Sequence, residues 1–411
     1  MSNNDFDKLT KFMTGYSDLE DHLEFRTAQE LVGQKVPVIS TGSHLLDDAL
    51  SSGGYPKGRL IQLYGRSGSG KTLMTLIAIK NAQSEDKNAQ QVFLDAEGTF
   101  DSNWAETLGV DTSKVLLVEG DLASNGRRLF EMLLGKPKED SKHKFAGKSK
   151  EGLLDKIVSK DININLVILD SLGQIIPPIE DVAEIGKSNM STLSRFLTIT
   201  FKKLSVEVKK ANIPFIVINH ARDNMDPYGG DHTYSGGNTY SHSLSANIWF
   251  TAVTRADAQI TNDKDEKIGH VMRATVEKSK FGPHPRKCEF AVDFSIGIIN
   301  EHEEVAELAI KYDIVQRPNK QMYEYGEQKW RGSDNFKDAI KNDHSLKNEL
   351  LQKINETRDR ILEEKRTRQK EKISKNEEPV IDGVEENDVA DVLNQAIEKP
   401  SKKGRKAKQS E

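Results

Sequence analysis

One cysteine, Cys288, stands in 411 residues. That excludes an internal disulfide framework and any four-cysteine zinc site, and it suits a reducing interior. No stretch approaches the ~18 apolar residues of a spanning helix, and the segment Met1 to Asp7 has neither a basic start nor an apolar run. A soluble, cytoplasmic protein with no membrane partner is therefore expected. A large excess of charge is missing too: the net charge of −5 does not advertise a polyanion partner, so any nucleic-acid binding has to come from local patches. Length is not lacking. At roughly 150 residues per domain the chain has room for one large core and one or two smaller pieces.

The most informative stretch is Gly65-Arg66-Ser67-Gly68-Ser69-Gly70-Lys71-Thr72, between the apolar run Leu60 to Tyr64 and the helical pattern Leu73 to Ile79. Strand, glycine loop and helix in that order make a phosphate cradle. The glycines let backbone N–H groups turn inward around a polyphosphate, and the helix N-terminus adds about half a positive charge. Lys71 is expected to reach the β- and γ-phosphates, and Thr72 to offer a hydroxyl to Mg²⁺, which prefers oxygen ligands.

Two further apolar runs end in acids. Gln91 to Asp95 leads into Ala96-Glu97-Gly98, and Asn165 to Asp170 is the usual partner of a phosphate loop on a neighbouring strand. Ligands of parallel α/β sheets sit beyond the carboxyl ends of the strands, so Glu97 is placed to orient or deprotonate an attacking water and Asp170 to hold Mg²⁺. A solvated turn carboxylate is the plainer reading of Glu97. Pro214 to His220 forms another buried run with His220 at its carboxyl end, where it is either functional or a histidine hydrogen-bonded at a strand end. Ala221 to Tyr240 then runs twenty residues rich in Gly, Asp, Asn and Tyr, too long for an ordinary connection. Arg222, Tyr228, His232 and Tyr234 offer cationic and stacking groups for a single strand of nucleic acid; a flexible lid is the alternative.

Pro37 to Leu50, with its Ser-Thr-Gly turn and Leu-Asp-Asp-Ala-Leu helix, and the lead-in Gly53-Gly54-Tyr55-Pro56-Lys57-Gly58-Arg59 resemble the signature of the RecA recombinase family. The resemblance covers about residues 25 to 330. It implies the catalytic role for Glu97 in Asp-Ala-Glu and an adenine-stacking position at Trp104, although a single tryptophan is as readily a core residue. It makes His220 a γ-phosphate sensor, where histidine in place of the commoner glutamine is similar to the phage UvsX-like branch. DNA-binding loops are implied at Ile175 to Ser188, with Met190 just beyond, and at Gly236-Gly237-Asn238. Lys278 and Lys280 resemble the Lys-x-Lys pair that enters a neighbouring subunit's ATP site, and Phe25 and Ala28 the Phe-x-x-Ala peptide that joins successive protomers.

The expected fold is α/β: a RecA-type P-loop ATPase core with a twisted, mostly parallel sheet flanked by helices. A helical N-terminal arm (1–35) precedes the core (36–300), and a small C-terminal lobe with a charged helix (301–371) and a charged tail (372–411) follow it. In that tail seven acids fall among the fifteen residues Glu377 to Asp391, and six bases among the ten residues Lys399 to Lys408, which reads as disorder. The lysine-rich segment 135–160 reads as a solvated loop followed by a short amphipathic helix and carries no assigned chemistry. The resemblance implies a DNA-dependent ATPase that uses ATP and Mg²⁺, forms a filament on single-stranded DNA and exchanges strands with a homologous duplex, with single-strand-binding and mediator proteins as partners. A ring-forming helicase or motor on the same core, and a module that binds nucleotide without hydrolysis, stay open.

Overall fold

In the central strands of this chain apolar residues fill both faces. A strand sends successive side chains to opposite sides, and Leu60, Val92, Leu94, Val167, Leu169, Phe215 and Val217 enter one buried cluster while Ile61, Leu63, Phe93, Leu166, Ile168 and Ile216 enter another. Such a sheet needs helices on both sides. The computed structural model describes residues 35–120, 126–137, 148–176, 190–223, 232–255, 258–282 and 284–376, with the backbone alone at 137, 190–193, 223, 238, 239, 362, 365, 366 and 368–376. Phe25, Ala28, Tyr228, the segment 177–189 and the tail blocks lie outside the described residues.

The large sheet has eleven strands. In chain order they are β1 (Arg59–Gly65), β2 (Gln90–Asp95), β3 (Val115–Val118), β4 (Ile164–Asp170), β5 (Pro214–Asp223), β6 (His232–Tyr234), β7 (Ala246–Ala252), β8 (Gln259–Thr261), β9 (Lys267–Ser279), β10 (Arg286–Asp293) and β11 (Gly297–Ile299). Across the sheet they run β11-β10-β9-β7-β1-β5-β4-β2-β3, with β6 on β5 and β8 on β9. From β7 to β3 every neighbouring pair is parallel, and the β9, β10 and β11 edge is antiparallel.

The helices are α1 (His44–Leu50), α2 (Lys71–Glu85), α3 (Ser102–Thr107), α4 (Gly126–Leu134), α5 (Leu153–Val158), α6 (Met190–Ala211), α7 (Gly237–Ser243), α8 (Glu301–Lys311), α9 (Ser333–Asn342) and α10 (His344–Asn376). Leu73, Met74, Leu76 and Ile77 of α2 pack on one sheet face. Leu129, Leu154, Leu197 and Phe201, from α4, α5 and α6, cover the other. Fully burying each such side chain stabilises the fold by about 1.5–3 kcal/mol. No helix among the described residues is long and apolar enough to cross a membrane.

Within the small C-terminal lobe the chain forms three antiparallel strands, Gln316–Asn319, Met322–Tyr325 and Gln328–Arg331. They share a core with α8, α9 and the start of α10, around Leu308, Tyr323, Phe336 and Leu350. Polar contacts tie this lobe to α1: the Ser43 hydroxyl donates to Glu304 at 2.8 Å, and Lys311 pairs with Asp48 at 2.6 Å. The described chain divides into two units at Ile354 and Asn355, and the second is helical as far as Asn376.

Candidate nucleotide and DNA site

The loop after β1 is shaped by glycine where nothing larger fits. Gly70 has φ +88, and a Cβ there would lie 2.1 Å from the Met272 methyl. The loop feeds its N–H groups into the N-terminus of α2, fifteen residues long. Lys71 is 6% exposed, and its ammonium donates to the carbonyls of Gly65 at 3.2 Å and Arg66 at 3.0 Å. Burial lowers its pKa against the pull of Asp170 and Glu97. The Ser69 hydroxyl is buried with no hydrogen-bond partner among the described residues. A buried cation and an orphaned hydroxyl around a glycine cradle fit a polyphosphate.

Thr72 Oγ1 donates to Asp170 Oδ2 at 3.4 Å. Burial, with repulsion from Glu97 and Asp95, pushes the Asp170 carboxyl up to about 7. Two hard oxygens, one of them an acid that resists ionising without a counter-ion, fit Mg²⁺. Among the described residues no group of three or more His, Cys, Asp or Glu could cage a metal alone, so the remaining ligands would be phosphate and water.

Glu97 is positioned by the ends of β2 and β4, where Asp95 stands opposite Asp170. The Asp95 carboxylate accepts the N–H groups of Glu97, Gly98 and Phe100 at 3.1, 2.8 and 2.8 Å, which fixes the turn. The Glu97 carboxylate accepts from the Ser171 hydroxyl and from His220 Nε2, the latter at 2.6 Å. Burial works to raise its pKa, but those two bonds and the charges of His220 and Lys71 outweigh it, and the net shift is downward. The peptide bond Asp170–Ser171 is cis. His220 stands beside Gly65 in the parallel register of β1 and β5. Lys71, His220, Asp170 and Glu97 thus lie at the carboxyl ends of four consecutive strands, around one cleft of about 290 Å³. Trp104, Thr99, Phe294 and His270 line it as well. Trp104 also packs on the core, and its indole N–H donates to the Phe294 carbonyl at 2.5 Å, so it is at once a core residue and a wall of the cleft.

Much of the stretch expected as a twenty-residue loop is ordered. β5 continues through Ala221 and Arg222 to Asp223, and β6 pairs back on it, Thr233 opposite Arg222. The alternation of His232, Thr233 and Tyr234 carries strand propensity that the surrounding glycines hide. α7 then starts at Gly237, and Gly236, at φ +123, leaves no room for a Cβ beside the Tyr240 ring. Arg222 is exposed. Tyr234 is not free to stack on a base: it packs edge-on to Tyr64 at 4.9 Å and its hydroxyl accepts from Asn247. Met190 opens α6 and Asn238 lies in α7.

Beneath this hairpin runs a buried polar chain that no sequence pattern announces. Asn219 Oδ1 accepts the His220 N–H at 2.9 Å, Asn219 Nδ2 donates to Gln62 at 3.0 Å and to the Ser235 carbonyl at 2.9 Å, and Gln62 donates to Asn247 at 2.8 Å. Asn247 donates to Glu277 at 3.2 Å; Glu277 also accepts from Tyr64, and His232 Nε2 lies 3.1 Å from it.

Lys278 stands midway along β1, and Lys280 near its start beside Arg59. Lys278 is opposite Asn247, itself beside Gln62 of β1, and its ammonium donates to the Ser241 carbonyl at 2.6 Å. Lys280 lines a second cleft of about 520 Å³ with Arg59, Lys202, Lys209 and His242, and among the described residues no acid borders it. Burial lowers the pKa of both lysines, helped by Lys280 on Lys278 and by Arg59 on Lys280. Arg59 and Gly65 bound a seven-residue strand, about 20 Å long at ~3.3 Å per residue, so neither lysine borders this chain's own phosphate loop.

The RecA N-terminal domain family matches residues 25–138 and 146–299. The protein RecA of Helicobacter pylori is 31% identical over 326 residues, covering 79% of this chain and 84% of its own length. That of Porphyromonas gingivalis is 29% identical over 325 residues, covering 79% and 86%. The solved structure of the RadB recombinase superposes with a TM-score of 0.45 at 21% identity, over 64% of this chain and 98% of its own.

Proposed function

Because this chain belongs to the RecA family, we propose that it is a homologous recombination and repair protein. In this reading it is a DNA-dependent ATPase that assembles as a helical filament on single-stranded DNA and catalyses pairing and strand exchange with a homologous duplex. The observation that carries the reading is the Glu97–His220 contact at 2.6 Å, made beside Lys71 by the strand that runs on into the expected DNA-binding hairpin. It links the group that would activate water to the segment that would hold DNA.

Lys71 and the loop N–H groups bind the phosphates, and Trp104 borders the far end of the cleft. Thr72 and Asp170 hold Mg²⁺, which when bound neutralises charge on the phosphates. Glu97, kept ionised by Ser171 and His220, orients the attacking water and receives its proton. His220 leaves Glu97 for the γ-phosphate and reports its presence through Asn219 and Gln62 to the base of the hairpin; this use of histidine is in keeping with a UvsX-like branch of the family. Lys278 and Lys280, neither of which lines their own nucleotide cleft, serve the next subunit's ATP. Head-to-tail contacts of that kind give a filament when the rotation does not close. Phe25 and Ala28 join protomers, and single-strand-binding and mediator proteins act with the filament.

ATP hydrolysis measured with and without single-stranded DNA, alongside strand exchange between a circular single strand and a homologous linear duplex, tests the reading. DNA is expected to stimulate hydrolysis and ATP to support exchange. Hydrolysis indifferent to DNA, with no exchange, would contradict it.

A further inference from the structure

The cleft has a histidine that the mechanism above does not use. His270 lies on β9, two residues before the methionine that packs against Gly70, and on the same face of the strand. It is 3% exposed and lines the cleft at the end bordered by Trp104 and Phe294. Its ring sits 5.6 Å from that of Phe294, whose carbonyl accepts the Trp104 indole N–H. Neither ring nitrogen has a hydrogen-bond partner among the described residues. A buried polar group left unpaired costs about 1–3 kcal/mol, and buried polar atoms in native proteins are nearly always satisfied by protein, water or ligand. The ring of His270 neighbours Phe294, whereas Lys71 bonds to Gly65 and Arg66 and Asp170 to Thr72.

We propose that His270 recognises the nucleobase, hydrogen-bonding the polar edge of an adenine held beside Trp104 and Phe294. The inference rests on the ATP-binding reading and adds base selection to it. A neutral imidazole offers one donor and one acceptor on divergent sides of its ring, and the acceptor nitrogen matches the exocyclic amine that adenine presents as a donor. Burial lowers the pKa of His270, with Lys267 acting in the same direction, and so favours the neutral ring. Sites that hydrogen-bond a substrate group discriminate strongly against analogues lacking it, because the site's own polar atoms are then stranded.

The test compares Mg²⁺-ATP with the triphosphate of unsubstituted purine riboside, which lacks the exocyclic amine, and with inorganic tripolyphosphate, by calorimetry on the full chain. The parent is expected to prefer ATP over the purine analogue by about tenfold. His270→Phe, which keeps a ring but no nitrogen, is expected to reduce that preference to within about twofold while leaving tripolyphosphate affinity unchanged. An unchanged preference in this variant would overturn the inference. Failure of the parent to bind either ATP or tripolyphosphate would instead overturn the ATP reading beneath it. Nitrogen-15 shifts of the histidine rings in the parent give the same answer without a substitution. Tripolyphosphate is expected to perturb the His220 ring alone, and ATP one ring more; equal numbers of perturbed rings would rule out a base contact at His270.

Discussion

The Nε2 atom of His220 lies 2.6 Å from Oε1 of Glu97, so two residues 123 positions apart in sequence share one hydrogen bond at the mouth of the nucleotide cleft. If that bond is exchanged for one to the γ-phosphate, ATP and DNA must each strengthen the other's binding by the same factor. His220→Ala is expected to keep the ATP affinity of the free protein within about threefold and to abolish the mutual effect, whose usual size is about 5- to 150-fold. Titrating ATP with and without an oligonucleotide measures it. Full coupling in the variant would separate His220 from the signal.

Asp170 trades stability for function. An acid whose folded pKa, about 7, lies above its ordinary 3.8 weakens the fold wherever it is ionised. The penalty is absent below about pH 4 and complete above about pH 7. Asp170→Asn is therefore expected to stabilise the nucleotide-free, Mg²⁺-free protein at pH 8, by of order 1–4 kcal/mol, and to make no such difference at pH 4, while Mg²⁺-dependent turnover is lost. Thermal unfolding at the two pH values decides this, and a variant less stable than the parent at pH 8 would contradict it.

Neither Lys278 nor Lys280 lines its own nucleotide cleft, so their loss is expected to be complemented by a partner. A Lys278→Ala, Lys280→Ala protein and a Glu97→Gln protein, each inactive alone, are expected to recover hydrolysis when mixed on DNA. Where both assemble and no activity returns, donation between subunits is excluded.

Arg222 and Tyr234 are neighbours of the same hairpin with opposite surroundings. The exposed Arg222 is available to a DNA phosphate, and its replacement by alanine is expected to reduce the salt dependence of single-strand binding by about one unit of slope. Tyr234 packs inward, and Tyr234→Phe is expected to leave DNA affinity unchanged. Fluorescence anisotropy over a salt series reads both. Equal losses from the two would mean that the hairpin opens to DNA.

The parts of this site legible in the sequence are those tied to contiguous motifs. Gly65 to Thr72 declares itself because the cradle needs glycine and lysine at fixed spacing, and Glu97, Asp170 and His220 because each ends an apolar run. The alternating burial of the sheet follows from the same runs. What stayed hidden depends on register across strands distant in sequence. Gln62 and Asn247 look like polar interruptions of apolar strands until pairing sets them side by side. His270 is one polar residue in β9, paired there on both sides, and only the fold brings it to the cleft. Tyr234 shows the converse, since its composition suggests a stacking group and its packing occupies the ring. The hairpin at Arg222 to Tyr234 was obscured by glycine and asparagine signals that read as loop throughout.

The central claim, that ATP closes one subunit onto the next along single-stranded DNA, is tested most directly by electron microscopy of the protein with DNA and a non-hydrolysable ATP analogue. The account predicts continuous helical filaments with Lys278 and Lys280 of one subunit at the nucleotide of its neighbour, and their disappearance when the analogue is withheld. Closed rings, or filaments in which those lysines lie away from every nucleotide, would contradict it.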